Sequence, residues 1–366
     1  MKRIIFSLIS KVFELLDKLY PTKSFIVFGC RAGKDYADNS KVLFEKFLAE
    51  GYENAFFFTR NKKVLGQIPA NGVYAYSLKG LNILLRSRVL VFTHGSGDFA
   101  PFFPCKNQNR VFINLFHAIA VKEVGHNNDR RKLKEKKKWD YFIVSSKFEA
   151  DTVMRQFSLS EKQILVLGQP RNDVLIQGLK SERSDDREFT VMYAPTFRGT
   201  TRTELFPFED KDLAALDEYL VANNIRILIR LHLNEENSYR DLGTFKGFVN
   251  IELMSSKVFP SVNEELHNID ALITDYSSIA LDYLLLDRPI AYVIYDFEKY
   301  KKERGFSFDL KEHMAGPSIV TQKDLVEFLS LKSDLFMAKR ESLKRLFHKY
   351  DDGRSSERMY EFINRL

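Results

Sequence analysis

Two histidines in this chain each follow directly on an apolar run. His117 ends Phe112-Ile113-Asn114-Leu115-Phe116, and His232 ends Ile227-Leu228-Ile229-Arg230-Leu231. An imidazole at the end of a buried strand can work near neutral pH as a general base or as a phosphate-binding cation. The plain alternative for a single such histidine is a structural hydrogen-bond donor. A matched pair, one in each half of the chain, favours a shared cleft. His94, in Thr93-His94-Gly95-Ser96-Gly97, also follows an apolar run, and its glycine loop can approach a ligand. His126, His267, His313 and His348 read as loop or surface residues.

A second constellation lies at Asp275-Tyr276-Ser277-Ser278. The apolar run 271–274 stops abruptly at Asp275. Ser277 or Ser278 suits the cap of a helix starting near Ile279, and Arg288-Pro289 ends that helix before a strand at 290–295. Asp275, Ser277 and Ser278 are therefore expected where a parallel strand ends and a helix opens, a place suited to phosphate. Arg171 and Arg198 sit in turns after apolar runs, and an arginine fork fits phosphate oxygens.

These residues need a scaffold of alternating elements. Strands are predicted at 24–29, 55–59, 73–76, 89–93, 111–116, 141–144 and 164–167, with a helix over 38–51. After a polar stretch at 178–189 the alternation restarts, with strands at 190–194, 225–231, 248–251, 271–274 and 290–295 and a helix over 213–223. Strands alternating with helices imply parallel, doubly wound sheets. The expected domains are an amphipathic helix at 1–20, an N-terminal Rossmann-like domain at 21–178, a C-terminal one at 190–330 and a helical tail at 331–366. At 366 residues, two domains are the natural expectation.

The net charge of +7 suits nucleic acid, anionic lipid or phosphorylated substrates. The two cysteines, Cys30 and Cys105, have neither metal-site nor disulfide-framework spacing, so a reducing cytoplasm is the default. No window is apolar for long enough to span a bilayer. The first 20 residues pattern as an amphipathic helix, with Ile5, Leu8, Val12 and Leu16 on its apolar face. It reads either as a helix packed on the domain or as an in-plane membrane anchor. The basic run 130–138, which contains Lys136 and Lys137 and leads into Trp139, reads as a solvated face or as a contact for anionic headgroups or a phosphorylated acceptor. No nucleic-acid motif accompanies it.

Taken in order, several segments resemble the CDP-glycerol glycerophosphotransferase family, the teichoic-acid primases and polymerases of bacterial envelopes. They are 116–122, 141–146, Gly168-Gln169-Pro170-Arg171-Asn172-Asp173, 193–198, Arg230-Leu231-His232, 273–278 with Asp282, 288–296 and Arg304-Gly305-Phe306. The chain departs from the family pattern at His117-Ala118, where His-Gly is usual, and at His232-Leu233, where His-Pro is usual.

The resemblance implies a GT-B type fold, with two Rossmann-like domains facing across a cleft and the donor nucleotide held mostly by the second. It implies transfer of a polyol phosphate from CDP-glycerol or CDP-ribitol to an undecaprenyl-diphosphate-linked saccharide, with release of CMP. His117 and His232 are then catalytic, while Lys122, Arg171, Thr196, Arg198, Arg230, Thr274, Asp275, Ser277, Ser278 and Asp282 bind substrate. It further implies peripheral attachment at the cytoplasmic face of the membrane, on an anionic surface. No tightly bound cofactor is expected, a divalent cation is compatible but not indicated, no nucleic-acid partner is expected, and homo-oligomerisation is left open. The rivals are a GT-B glycosyltransferase using a nucleotide sugar and a non-catalytic membrane-associated scaffold.

Overall fold

A computed structural model of the chain describes residues 12, 15, 16, 19–99, 110–123, 139–180, 187–199, 202–232, 235–237, 239, 243, 245–330 and 334–366. They form two compact units. The first draws on Met1–His117, Gly125–Val174 and Asp352–Leu366, the second on Ala118–Val124 and Leu175–Asp351.

The first unit is built on β1 (Phe25–Phe28), β2 (Ala55–Thr59), β3 (Gly72–Tyr74), β4 (Ser87–Phe92), β5 (Val111–Asn114), β6 (Tyr141–Val144) and β7 (Ile164–Val166). Their order is β3-β2-β1-β4-β5-β6-β7, and every pairing is parallel. Val27, Phe28, Leu90, Val91, Phe112, Ile113, Phe142 and Ile143 are all fully buried. Consecutive buried residues mean both faces of these strands are covered, as parallel sheets require. Helix α1 (Asp38–Ala49) lays Leu43, Phe44 and Phe47 on the sheet, with the Phe44 and Phe47 rings each 5.5 Å from Phe28. Ser77 starts α2 (Leu78–Arg86) by accepting from Gly80 N at 2.9 Å, and Ser146 starts α3 (Lys147–Phe157) by accepting from Glu149 N at 3.1 Å.

The second unit has β8 (Phe189–Ala194), β9 (Ile225–Ile229), β10 (Ile251–Leu253), β11 (Ala271–Thr274) and β12 (Ile290–Tyr292), ordered β10-β9-β8-β11-β12 and again parallel. Between and after them run α5 (Leu213–Ala222), α6 (Ile279–Tyr283), α7 (Phe297–Arg304), α8 (Gln322–Ser330) and α9 (Met337–Phe347). Residues 171–178 form α4 (Arg171–Gly178), a helix the sequence pattern does not announce.

The last helix, α10 (Ser355–Asn364), belongs to the first unit and packs on α1, burying Met359 and Ile363 at i, i+4 spacing. Its free N-terminal amides are satisfied by Asp173, which accepts from Ser355 N at 2.8 Å and Ser356 N at 2.6 Å. The helices beyond residue 331 are thus shared between the units, which a linear hydropathy pattern cannot register.

Each sheet reverses its winding once, between β1 and β4 in the first unit and between β8 and β11 in the second. In open α/β sheets the crevice beyond the carboxyl ends of such a strand pair is where ligands bind. Val12, Leu15, Leu16 and Leu19 are helical, with Val12, Leu15 and Leu19 between 56% and 70% exposed. Ile5, Leu8, Lys136 and Lys137 lie outside the described residues. Among the described residues no helix is long and apolar enough to cross a membrane.

Candidate active site

In the first unit the strand ends converge on His117. Its ring stacks on that of His94, with centroids 4.1 Å apart and planes 8° from parallel. His94 follows β4 at the switch point. Its loop is held by the buried Asp98 carboxylate, which accepts from His94 N at 2.9 Å, Thr93 N at 3.0 Å and Ala32 N at 2.7 Å. On the other side a buried polar network fixes the backbone. Asn39, fully buried, donates to Phe116 O at 3.1 Å and to Gln169 Oε1, and accepts from Arg171 N at 3.0 Å. Arg171 Nη1 donates to His117 O and lies 3.4 Å from Asp38 Oδ1. Phe116 is left-handed at φ 52°, a strained conformation for a bulky residue, stabilised here by these bonds.

Burial, followed by the neighbouring His94, pushes His117 down to about 4, while Asp38 opposes the shift. The imidazole is therefore neutral at physiological pH, and its buried Nδ1 has no hydrogen-bond partner. A neutral ring carries one nitrogen lone pair, the group through which histidine accepts a proton.

The second unit is organised around Asp275, at the end of β11 beside the switch point. Asp275 accepts from Thr196 N at 2.9 Å and pairs with Arg198 Nη1 at 2.8 Å. The same guanidinium donates through Nε to Asp296 Oδ2 at 2.8 Å and through Nη2 to Asp296 Oδ1 at 3.1 Å. Tyr276 Oη completes the ring on Asp296 Oδ1 at 2.8 Å. Arg198 is also flanked by the rings of Tyr276, Tyr295 and Tyr300 at 5.1, 5.5 and 5.2 Å. The loops after β8, β11 and β12 are thereby locked to one another.

Lys122 reaches this cluster on a segment that pairs antiparallel with Phe306, and its Nζ lies 5.8 Å from the Tyr300 ring. Burial lowers it to about 8, partly offset by Asp275 and reinforced by Arg304 and Arg198. Arg304, exposed at the end of α7, has no ion-pair partner among the described residues. Its Nη2 would lie 2.6 Å from a Cβ added at Gly199, so the glycine leaves room for the guanidinium. Thr196 Oγ1 is buried without a partner. His232 follows β9, exposed, with its ring stacked on Phe197 at 4.9 Å.

Several residues expected to bind substrate also make bonds within their own unit. Arg171 and Arg198 are not surface forks: each is over 90% buried and bonded to carboxylates of its own unit. Thr274 is fully buried and donates to Ala194 O at 2.7 Å, tying β11 to β8. Asp282 is buried on α6, with Asn263 Nδ2 3.5 Å away. Arg230 donates to Met254 O at 3.3 Å.

The Ser277-Ser278 turn lies where expected, but α6 is only five residues long and Ser278 makes no side-chain cap bond. Ser277 Oγ accepts weakly from Ile279 N at 3.4 Å. Trp139 is not at an interface: it is 6% exposed and packs on Phe142 and Phe157 at 5.6 and 5.7 Å. His348 is buried against Leu281 O at 2.8 Å, not a surface residue.

Sequence reasoning assigned no role to Asp38, Asn39, Asp296, Tyr276, Tyr300 or Arg304. Tyr276, Asp296 and Arg304 lie within the segments 273–278, 288–296 and Arg304-Gly305-Phe306 that resemble the family, which was the usable signal for them. Among the described residues no group of three or more His, Cys, Asp or Glu is placed to hold a metal ion. A cavity of about 800 Å³ opens instead at the amino ends of β8, β9, β11 and β12, beside Phe189, Ile225, Ala271 and Ile290, away from all these residues.

Two parallel α/β units in one chain, each gathering its polar loops at carboxyl strand ends, define a GT-B-like protein. The solved wall teichoic acid polymerase TagF, in a variant soaked with CDPG, superposes with a TM-score of 0.83 at 24% identity, covering 100% of this chain and 95% of that one. The family model for CDP-glycerol:poly(glycerophosphate) glycerophosphotransferase matches residues 13–365, and the chain belongs to that family. It is an enzyme of the glycerophosphotransferase type. The teichoic acid glycerol-phosphate transferase of Staphylococcus aureus is 26% identical over 99% of this chain and 98% of its own length. The teichoic acid poly(glycerol phosphate) polymerase of Bacillus subtilis is 26% identical over 96% of this chain, which spans only 50% of that protein.

Proposed function

We propose that the chain transfers glycerol phosphate from CDP-glycerol to a hydroxyl of a lipid-linked saccharide during teichoic-acid synthesis. The acceptor oxygen attacks the distal phosphorus, the bond from that phosphorus to the bridging oxygen breaks, and CMP leaves with the bridging oxygen. The hydroxyl proton passes to His117 in the first unit, whose neutral ring is the base form. In the second unit Lys122, Arg304, Thr196 and the Ser277-Ser278 turn hold the donor diphosphate, with His232 beside them on the β9 loop. Positioning and charge stabilisation supply most of the acceleration in such a transfer.

The observation that carries this reading is the pair of cations at the second switch point. Asp275 and Asp296 share the single charge of Arg198, and Lys122 and Arg304 turn the cluster to a net excess of positive charge that an anionic ligand can take up. The membrane role rests on the exposed apolar residues Val12, Leu15 and Leu19, which would place the enzyme peripherally at the cytoplasmic membrane face.

The deciding experiment incubates the protein with CDP-glycerol, or CDP-ribitol, and a lipid-linked disaccharide, and weighs the products. A mass gain of one or more polyol phosphates with CMP release is expected, and the polyol accepted identifies the donor. Transfer from a nucleotide sugar with release of a nucleoside diphosphate would overturn the proposal. Donor-dependent protection of 275–278 from hydrogen exchange is expected as well. Protection confined to the first unit would move the donor site.

A further inference from the structure

The His94 ring has no assigned role, yet it is the closest aromatic neighbour of His117. The stack is nearly parallel at 4.1 Å, and the His94 loop is not free to drift, because three backbone amides anchor it to Asp98. Thr93 Oγ1 lies 2.8 Å from His94 Nδ1 and fixes the ring from its own side. We propose that His94 is a positioning residue for His117: its stacked ring sets the plane of the His117 imidazole and keeps that imidazole in the unprotonated form. This rests on the reading of His117 as the base.

The physical argument is electrostatic and geometric. Two imidazolium rings in face contact repel, so a proton on one disfavours a proton on the other. The charged groups around His117 divide. Asp38 on α1 favours its protonation, Arg171 on α4 and His94 after β4 oppose it, and Asp98 is occupied by the amides of Thr93 and His94 in its own loop and of Ala32 after β1. Burial acts in the same direction as His94. The exposed His94 ring also covers one face of His117 and limits rotation about its side-chain bonds. An acceptor hydroxyl then meets a base that is neutral and oriented before it arrives.

The test compares H94F and H94A in the full-length chain. Phenylalanine keeps a flat ring in the stack but cannot carry a proton, whereas alanine removes ring and charge together. His94 is exposed, so neither change should unfold the protein, and circular dichroism checks this. NMR titration of the His117 ring, assigned by its loss in H117A, reads the coupling without substrate. Its midpoint should rise above the parent value of about 4 in both variants. The acid limb of the kcat/KM profile should rise with it. H94F should keep most of kcat, while H94A loses several-fold because the ring plane is no longer held.

A His117 midpoint unchanged in both variants overturns the proposal, whatever happens to activity. A midpoint that rises without any movement of the acid limb overturns instead the reading of His117 as the base, and leaves the coupling between the two rings standing. If H94A proves unstable, H94F alone decides the question.

Discussion

The Arg198 lock offers the sharpest test of how the second unit is built. Arg198 side-chain exposure is 5%, against 2% for Asp275 and 17% for Asp296, so solvent screening is small. Replacing Arg198 with Met keeps much of the volume and the flat packing against Tyr276 and Tyr300, but leaves two carboxylates without their cation. Breaking a buried ion pair from one side costs about 3–5 kcal/mol, chiefly through the uncompensated charge. For a unit of this size each kcal/mol lowers Tm by about 2–4 °C, so a drop on the order of 10 °C is expected.

Urea unfolding of the full chain, followed by tyrosine fluorescence, should show the loss in midpoint. Adding Asp296→Asn to Arg198→Met should recover part of it, because one of the two stranded charges is gone. Arg198→Lys should fall between, since an ammonium cannot bridge both carboxylates with a planar fork. If Arg198→Met is as stable as the parent while donor binding disappears, Arg198 is a ligand fork after all and the lock is not what holds these loops.

Four further outcomes are expected. His117→Ala should lower turnover by roughly 10²-fold or more with the fold intact, and full activity in a folded variant removes it from the mechanism. Lys122 stands lowered to about 8, so its charge is present at pH 7 and lost as pH rises through that value; donor affinity should fall above about pH 8 in the parent and stay flat in Lys122→Arg, as calorimetry at several pH values would show. Trp139→Ala should destabilise the first unit by about 3–5 kcal/mol as a core truncation, whereas a loss of lipid binding with stability unchanged would return Trp139 to the interface. Leu15→Ser with Leu19→Ser should leave Tm unchanged and weaken co-sedimentation with anionic vesicles; full binding in that variant means these exposed apolar side chains are not the anchor.

Most of the elements were legible from local pattern. Buried parallel strands write themselves as short apolar runs, and β1, β2, β6 and β11 appear where those runs lie. The strand-end positions of His117, His232 and Asp275 were legible for the same reason: the polar residue is where the run stops. What the sequence could not decide was how each polar side chain is spent. Arg171 and Arg198 look like exposed forks in one dimension because charge in a turn looks solvated. Whether a guanidinium is free depends on carboxylates distant in the chain, Asp38 for Arg171 and Asp275 and Asp296 for Arg198. The His94–His117 stack is likewise invisible in sequence, because it follows from β4 and β5 lying side by side in register. Local hydropathy and spacing determined the order of strands and helices, since those depend on neighbours a few residues away. Pairing, burial and proton affinity were decided only when the sheets brought distant residues together, because an electrostatic environment belongs to a place in space and not to a position along a chain.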